Sequence, residues 1–156
     1  ALCFTEAQQK YHHWSVFARG PDGVCISFHK KELVSAVADA GSSYEFKPVR
    51  YIAAQKAEQF VPFNDDGLKF TKNLRYSDEH EWRLIYTGHS GLTSNPYISF
   101  CLKSIYRITL SPWLPKPLMQ SLKSVIRSMP GCGNLDVRRS TLVDYQDWKS
   151  IADRSI

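Results

Sequence analysis

Three charged residues at alternate positions, Glu79-x-Glu81-x-Arg83, stand out as chemically capable. They open the run Glu79-His80-Glu81-Trp82-Arg83-Leu84-Ile85-Tyr86, whose strict alternation predicts a strand. Trp82, Leu84 and Tyr86 then share one face, and Glu79, Glu81 and Arg83 share the other. Two carboxylates beside a guanidinium can bind a ribose, hold a cation or act as acid and base. The same pattern also describes an ordinary solvated strand face, where Glu/Arg pairs are commonplace.

A second candidate is Tyr11-His12-His13-Trp14. Adjacent histidines on a helix diverge by about 100°, which disfavours a shared metal, and no metal site is expected. Trp14 reads first as core, with Tyr11 and Trp14 the candidates for stacking on a base. Cys3, Cys25, Cys101 and Cys132 form no C-x-x-C pair, so the expectation is reduced thiols in a cytoplasmic protein. Their even number leaves a disulfide-bonded, secreted alternative open. Cys132 lies between glycines with no histidine near it in sequence, which gives little support to a nucleophile. The chain carries no G-x-x-x-x-G-K-[ST], G-x-G-x-x-G or G-x-S-x-G, so P-loop, Rossmann and hydrolase-elbow readings have no support.

The 156 residues include 20 Lys+Arg and 15 Asp+Glu, and 43% are hydrophobic, which describes one folded domain over 1–156 rather than a disordered chain. No apolar run approaches the length of a membrane span, so no membrane association is expected. The positive excess lies in the last third. Lys103 to Ile156 contains 9 basic and 4 acidic residues, whereas the signs balance up to Leu102. A one-sided basic region, with Arg138 and Arg139 at its centre, suits a nucleic acid or another polyanion, and also suits a plain solvated surface.

Around these residues the periodicity places a strand at Leu2 to Thr5, a helix from Glu6 to Ala18, a strand from Val24 to Phe28 and a helix from Lys30 to Ala40 capped by Gly41. Further strands are predicted at Val49–Ile52, Glu79–Tyr86, Tyr97–Leu102, Ile105–Leu110 and Val137–Val143, with Lys103-Ser104 as a tight turn. A helix follows Pro115 and Pro117 and stops at Pro130-Gly131, and Gln146 to Ala152 reads as a last helical turn. The expected class is α+β, one domain with a mixed or mainly antiparallel sheet and three to four flanking helices. The chain opens inside the first strand without an initiator Met, so the reading places further sequence upstream. An unpaired edge at Leu2–Thr5 is a template for pairing with a second copy, giving a homo-oligomer.

With these residues in view, the chain resembles a large bacterial and phage family, domain of unknown function 2971. The matching features are Cys3-Phe4-Thr5-Glu6, Trp14-x-x-Phe17-Ala18 before Asp22-Gly23-Val24-Cys25-Ile26-x-Phe28, and Val49-x-Tyr51. They continue with Lys72 ahead of Glu79-x-Glu81-Trp82-Arg83, then Ile105 to Pro112, where Ser111 replaces the family's Gly, and Val137-x-x-Ser140. The resemblance implies a cytoplasmic accessory protein of the kind carried on prophages, gene cassettes and other mobile DNA, with roles in phage defence or stress. The family pattern begins with an upstream half that this chain lacks, which makes the chain the larger C-terminal part of that pattern. Two functions follow. In the first, the E-x-E strand is similar to the glutamate pair of ADP-ribosyltransferases, and the protein is a nucleotide-using enzyme with NAD as its cofactor. Glu81 then stabilises the ribosyl cation, Glu79 orients the acceptor, Arg83 completes the face, and Tyr11 or Trp14 stacks the nicotinamide. In the second, the chain is a non-catalytic module that binds nucleic acid or a protein partner through its basic C-terminal third.

Overall fold

The computed structural model describes residues 1–57, 65–88, 97–144 and 150. The chain divides into two compact units with interleaved segments, one made of residues 1–8 and 34–99 and the other of residues 9–33 and 100–156. Both mix helices with sheet, so the α+β class holds. The expected sheet is realised as three small ones.

The first unit contains β1 (Leu2–Thr5), β3 (Tyr44–Pro48) and β6 (Glu81–Tyr86), with β6 central and both neighbours antiparallel to it. Register places Phe4 opposite Trp82 and Phe46 opposite Leu84. The even-numbered face of this sheet is therefore aromatic. Phe4 meets Phe46 edge-on at 5.3 Å, Phe46 meets Trp82 at 5.1 Å, and Tyr44 meets Tyr86 at 5.1 Å. The odd-numbered face carries Cys3, Thr5, Glu45, Lys47, Glu81 and Arg83. A second, parallel ladder joins β4 (Arg50–Ile52) to β5 (Thr71–Asn73) and sets Tyr51 beside Lys72. Between these strands lie the short helices α3 (Ala54–Ala57) and α4 (Asp65–Lys69). A 3₁₀ turn, Leu74–Glu79, follows β5 and ends at His80, which adopts the left-handed conformation with φ 44°.

In the second unit, helix α1 (Tyr11–Phe17) precedes β2 (Val24–Phe28), which runs antiparallel to β7 (Ile105–Leu110). β7 connects through α5 (Lys116–Ser128) to the parallel strand β8 (Asp136–Arg139), a crossover of the βαβ kind. The core lies beneath α5. Leu110, Leu114 and Val137 are buried, with Ile108, Met119, Ile126 and Leu135 packed against them. The remaining helix, α2 (Lys30–Asp39), begins in this unit and ends in the first, stopping before Gly41 with φ 102°, as a glycine cap requires.

Several expected boundaries move. The predicted Glu6–Ala18 helix starts only at Tyr11, because Thr5 and Glu6 bond to the backbone of Glu79 and His80 and the Thr5 hydroxyl accepts the Ala7 N–H. Tyr44–Pro48 is a strand that the pattern did not announce. Tyr97–Leu102 is not a strand: its last residue opens a 3₁₀ turn, Leu102–Ser104, where the tight hairpin turn was expected. The strand expected over Val137–Val143 runs from Asp136 to Arg139. Of the predicted helical turn Gln146–Ala152, all but Ser150 lies outside the described residues. Among the described residues, no helix is long and apolar enough to cross a membrane.

Two buried β-strand positions test this packing. Val137 is fully buried, and Val137→Ala should cost about 2 kcal/mol in chemical denaturation. The Thr109 hydroxyl is buried without a hydrogen-bond partner, so Thr109→Val, which keeps the shape and removes the orphan oxygen, should leave the midpoint unchanged or raise it.

Candidate functional site

The residues of the odd-numbered face meet at the start of β6. Glu81 is only 5% exposed, yet it carries a charge. Its backbone shows why the chain is held so closely there. The Glu81 N–H donates to the Tyr51 hydroxyl at 2.8 Å, and its carbonyl accepts the Val49 N–H at 2.8 Å. The carboxylate accepts from Arg83 Nε at 2.7 Å and from the other arm of the same guanidinium at 3.3 Å, a bidentate grip within one strand face. Lys72 Nζ donates to Glu81 Oε2 at 3.1 Å and also bonds Glu79 Oε2. Arg83 is itself anchored through a 2.6 Å bond to the Lys69 carbonyl.

Burial alone would raise the Glu81 carboxyl. Hydrogen bonds from Arg83, Cys3 and Lys72 outweigh that cost and hold it at about 2, against an ordinary 4.5. On Lys72, desolvation lowers the affinity for the proton, but Glu79 and Glu81 outweigh it and the ammonium is held above its usual value. The Cys3 thiol is pushed up, first by burial and then by the Glu81 carboxylate beside it. Glu81, Lys72 and Arg83 are therefore held in their ionised forms, with Glu79 bonded to the same lysine. Such a group does not exchange protons near neutrality; it presents a permanent field.

Glu79, expected on the same strand face, instead closes the 3₁₀ turn. The left-handed His80 breaks the alternation between Glu79 and Glu81, and the two carboxylates come together through their shared Lys72. Lys72 also lies 5.0 Å from the centre of the exposed Tyr76 ring. The segment that supplies Lys72 and Glu79 also lines a cavity of about 340 Å³, bounded by Ala53, Ala54, Gln55, Asn73, Leu74 and Arg75.

The other predicted residues lie in the second unit. Trp14 is buried, and its indole N–H donates to Gln9 at 3.3 Å. Tyr11 is exposed and stacks edge-on against Trp113 at 5.7 Å. Arg138 reaches outward and pairs with Asp136 at 2.9 Å. Arg139 turns inward, where it donates to the carbonyls of Leu114 at 2.7 Å, Ser140 at 3.2 Å and Pro112, and pairs with Asp144. Glu79, Glu81 and Arg83 thus form one cluster, while the four predicted ligand-binding residues belong to another unit. Lys72, Tyr51 and Cys3 carried no local signal as site residues. Their only mark in the sequence was membership in the pattern shared with the family, and those positions converge on Glu81.

Two tests follow. The Glu81 value is depressed on folding, so its stabilisation is present above pH 4.5 and is lost as pH falls from there towards 2. Glu81→Gln should therefore flatten the acid limb of the stability profile, at a cost of about 3 kcal/mol at neutral pH for leaving Arg83 without its carboxylate and Lys72 with Glu79 alone. Arg139→Ala strips the bonds from three carbonyls and should lower stability by about 2–4 kcal/mol in denaturant titration.

No curated protein and no solved structure matches the chain. A family model does, over residues 13–84, and this stretch contains Tyr51, Lys72, Glu79, Glu81 and Arg83, together with Val49, whose backbone N–H meets the Glu81 carbonyl. Residues 13–84 match the model of the family described as Protein of unknown function (DUF2971).

Proposed function

We propose that the protein is a nucleotide-using enzyme, with NAD as the nucleotide, in which Glu81 supplies a fixed negative charge. One observation carries this reading: a carboxylate that is 5% exposed remains ionised down to about pH 2, with a second carboxylate bound to the same lysine. A charge of this kind is unsuited to proton transfer and suited to stabilising a cation that forms during reaction. When the bond between ribose and nicotinamide breaks, its electron pair leaves with nicotinamide and positive charge develops on the ribosyl carbon. Glu81 stabilises that charge, and Glu79 orients the acceptor.

The neighbouring cavity supports the reading. At about 340 Å³ it falls at the small end of ligand sites, and Arg75, Asn73 and Gln55 offer polar groups among its apolar lining. A pyrophosphate beside Arg75 competes with both carboxylates for Lys72. Release of that lysine leaves Glu79 and Glu81 as the charges the ribosyl group meets. The exposed Tyr76 ring, beside Lys72, is an available stacking surface.

The test is nicotinamide release from NAD, measured beside a thermal-shift titration with NAD and ADP-ribose. Wild type should release nicotinamide. Glu79→Gln and Glu81→Gln should each slow release by about 100-fold or more while melting as folded proteins. Absence of both release and any nucleotide-dependent shift overturns the proposal. A second reading, the binding module, is favoured by Arg138, whose side chain is 62% exposed on β8. A shift with a single-stranded oligonucleotide alone, weakening with salt, would select it.

A further inference from the structure

Helix α5 carries more apolar surface than its core uses. Met119 and Ile126 pack against Leu110, Leu114 and Val137. Leu118, Leu122 and Val125, with Met129 at the helix end, are 52%, 39%, 55% and 51% exposed. At 100° per residue these four fall within roughly 60° of arc, a second stripe beside the buried one. Their 4-3-4 spacing is that of a seam between paired helices.

The direction of the stripe follows from its opposite flank. Arg127 Nε donates to the Leu135 carbonyl at 3.1 Å, which sets that side of α5 over the start of β8. The stripe therefore turns towards β7 and β2. There Val24 and Ile26, which register with Leu110 and Ile108 on the core face, remain 47% and 49% exposed. α5 packs on this face through Leu110 and Val137, and the exposed Val24 and Ile26 of β2 form the floor of an apolar groove beside it. Six half-exposed apolar side chains in one place differ from scattered surface residues.

Charge selects the occupant. The basic residues of α5, Lys116, Lys123 and Arg127, lie roughly 150° round the helix from the stripe. The free margin of the stripe is formed by Ser121 and Ser128, small and neutral. A nucleic acid or an anionic bilayer at the groove would find the cations on the wrong side. A second α5 would meet apolar residues against apolar residues, with no like charges opposed.

We infer that this groove is a homodimer interface, in which α5 of one copy lies against α5 and β2 of another across a two-fold axis. The residues of this surface belong to the second unit, and β1 and the Glu81 cluster to the first. Sedimentation equilibrium tests the inference. Wild type should show a concentration-dependent monomer–dimer equilibrium, and Leu122→Lys should weaken it at least about tenfold while keeping its circular dichroism spectrum. Val125→Asn, at the more exposed position, serves if Leu122→Lys does not fold. Mixing Leu122→Lys with Leu122→Glu should restore association, and Lys123→Glu on the basic flank should leave it unchanged. A monomer at every concentration overturns the inference, as does a dimer insensitive to both stripe substitutions. A monomer that instead co-sediments with anionic vesicles assigns the groove to a membrane surface and also overturns it.

Discussion

An ionised carboxylate taken out of water must be matched by cations and hydrogen bonds, or folding fails to offset its desolvation. Glu81 imposes that requirement on the first unit. Its backbone is bonded to Val49 and Tyr51, its side chain to Arg83 and Lys72, and its strand position to Thr5 of β1. These partners come from β1, β4, β5, β6 and the short link between β3 and β4. None of them can shift by one residue without turning a partner to the opposite face. The charge thus fixes the register of two small sheets, which their short ladders alone would specify weakly.

The sequence made the central strand legible because its alternation is strict, with Trp82, Leu84 and Tyr86 against Glu81 and Arg83. The same alternation misled at Glu79. A periodic pattern carries no information about one residue entering the left-handed region, and His80 does so without the glycine that would have marked it. β3 escaped notice because Glu45, Lys47 and Pro48 dilute its apolar content, although Tyr44 and Phe46 hold the correct period. Tyr97–Leu102 misled in the opposite sense: an apolar run of strand length forms no ladder. Tertiary bonds decided the remaining boundaries. The β1 exit is tied to the turn before β6, so the helix that composition permits from Glu6 cannot begin until Tyr11.

The same division applies to the candidate site. Glu81 and Arg83 could be found from local spacing because two residues on one strand must share a face. Lys72, Tyr51 and Cys3 could not, because they arrive from distant strands and their chemistry appears only when those strands pair. Arg138 and Arg139 show the complementary failure. Adjacent residues of identical type leave a strand in opposite directions, one to solvent and the other onto the carbonyls of the loop before α5. A count of basic residues treats them alike, and the fold does not.

The two compact units share their stretch of chain like alternating pages. Thr5 bonds Glu79 from 74 positions away, and Ser111 bonds Gly20 across 91. During synthesis β1 waits for β6 and β2 waits for β7, so neither unit can close while its opening strand alone has emerged. Contacts this remote in sequence make for slow folding and prolonged exposure of unpaired strands. They also deny the molecule a cutting point. A cut after Leu33 parts β1 from β6 and β2 from β7 at once, so a single break there damages both units together.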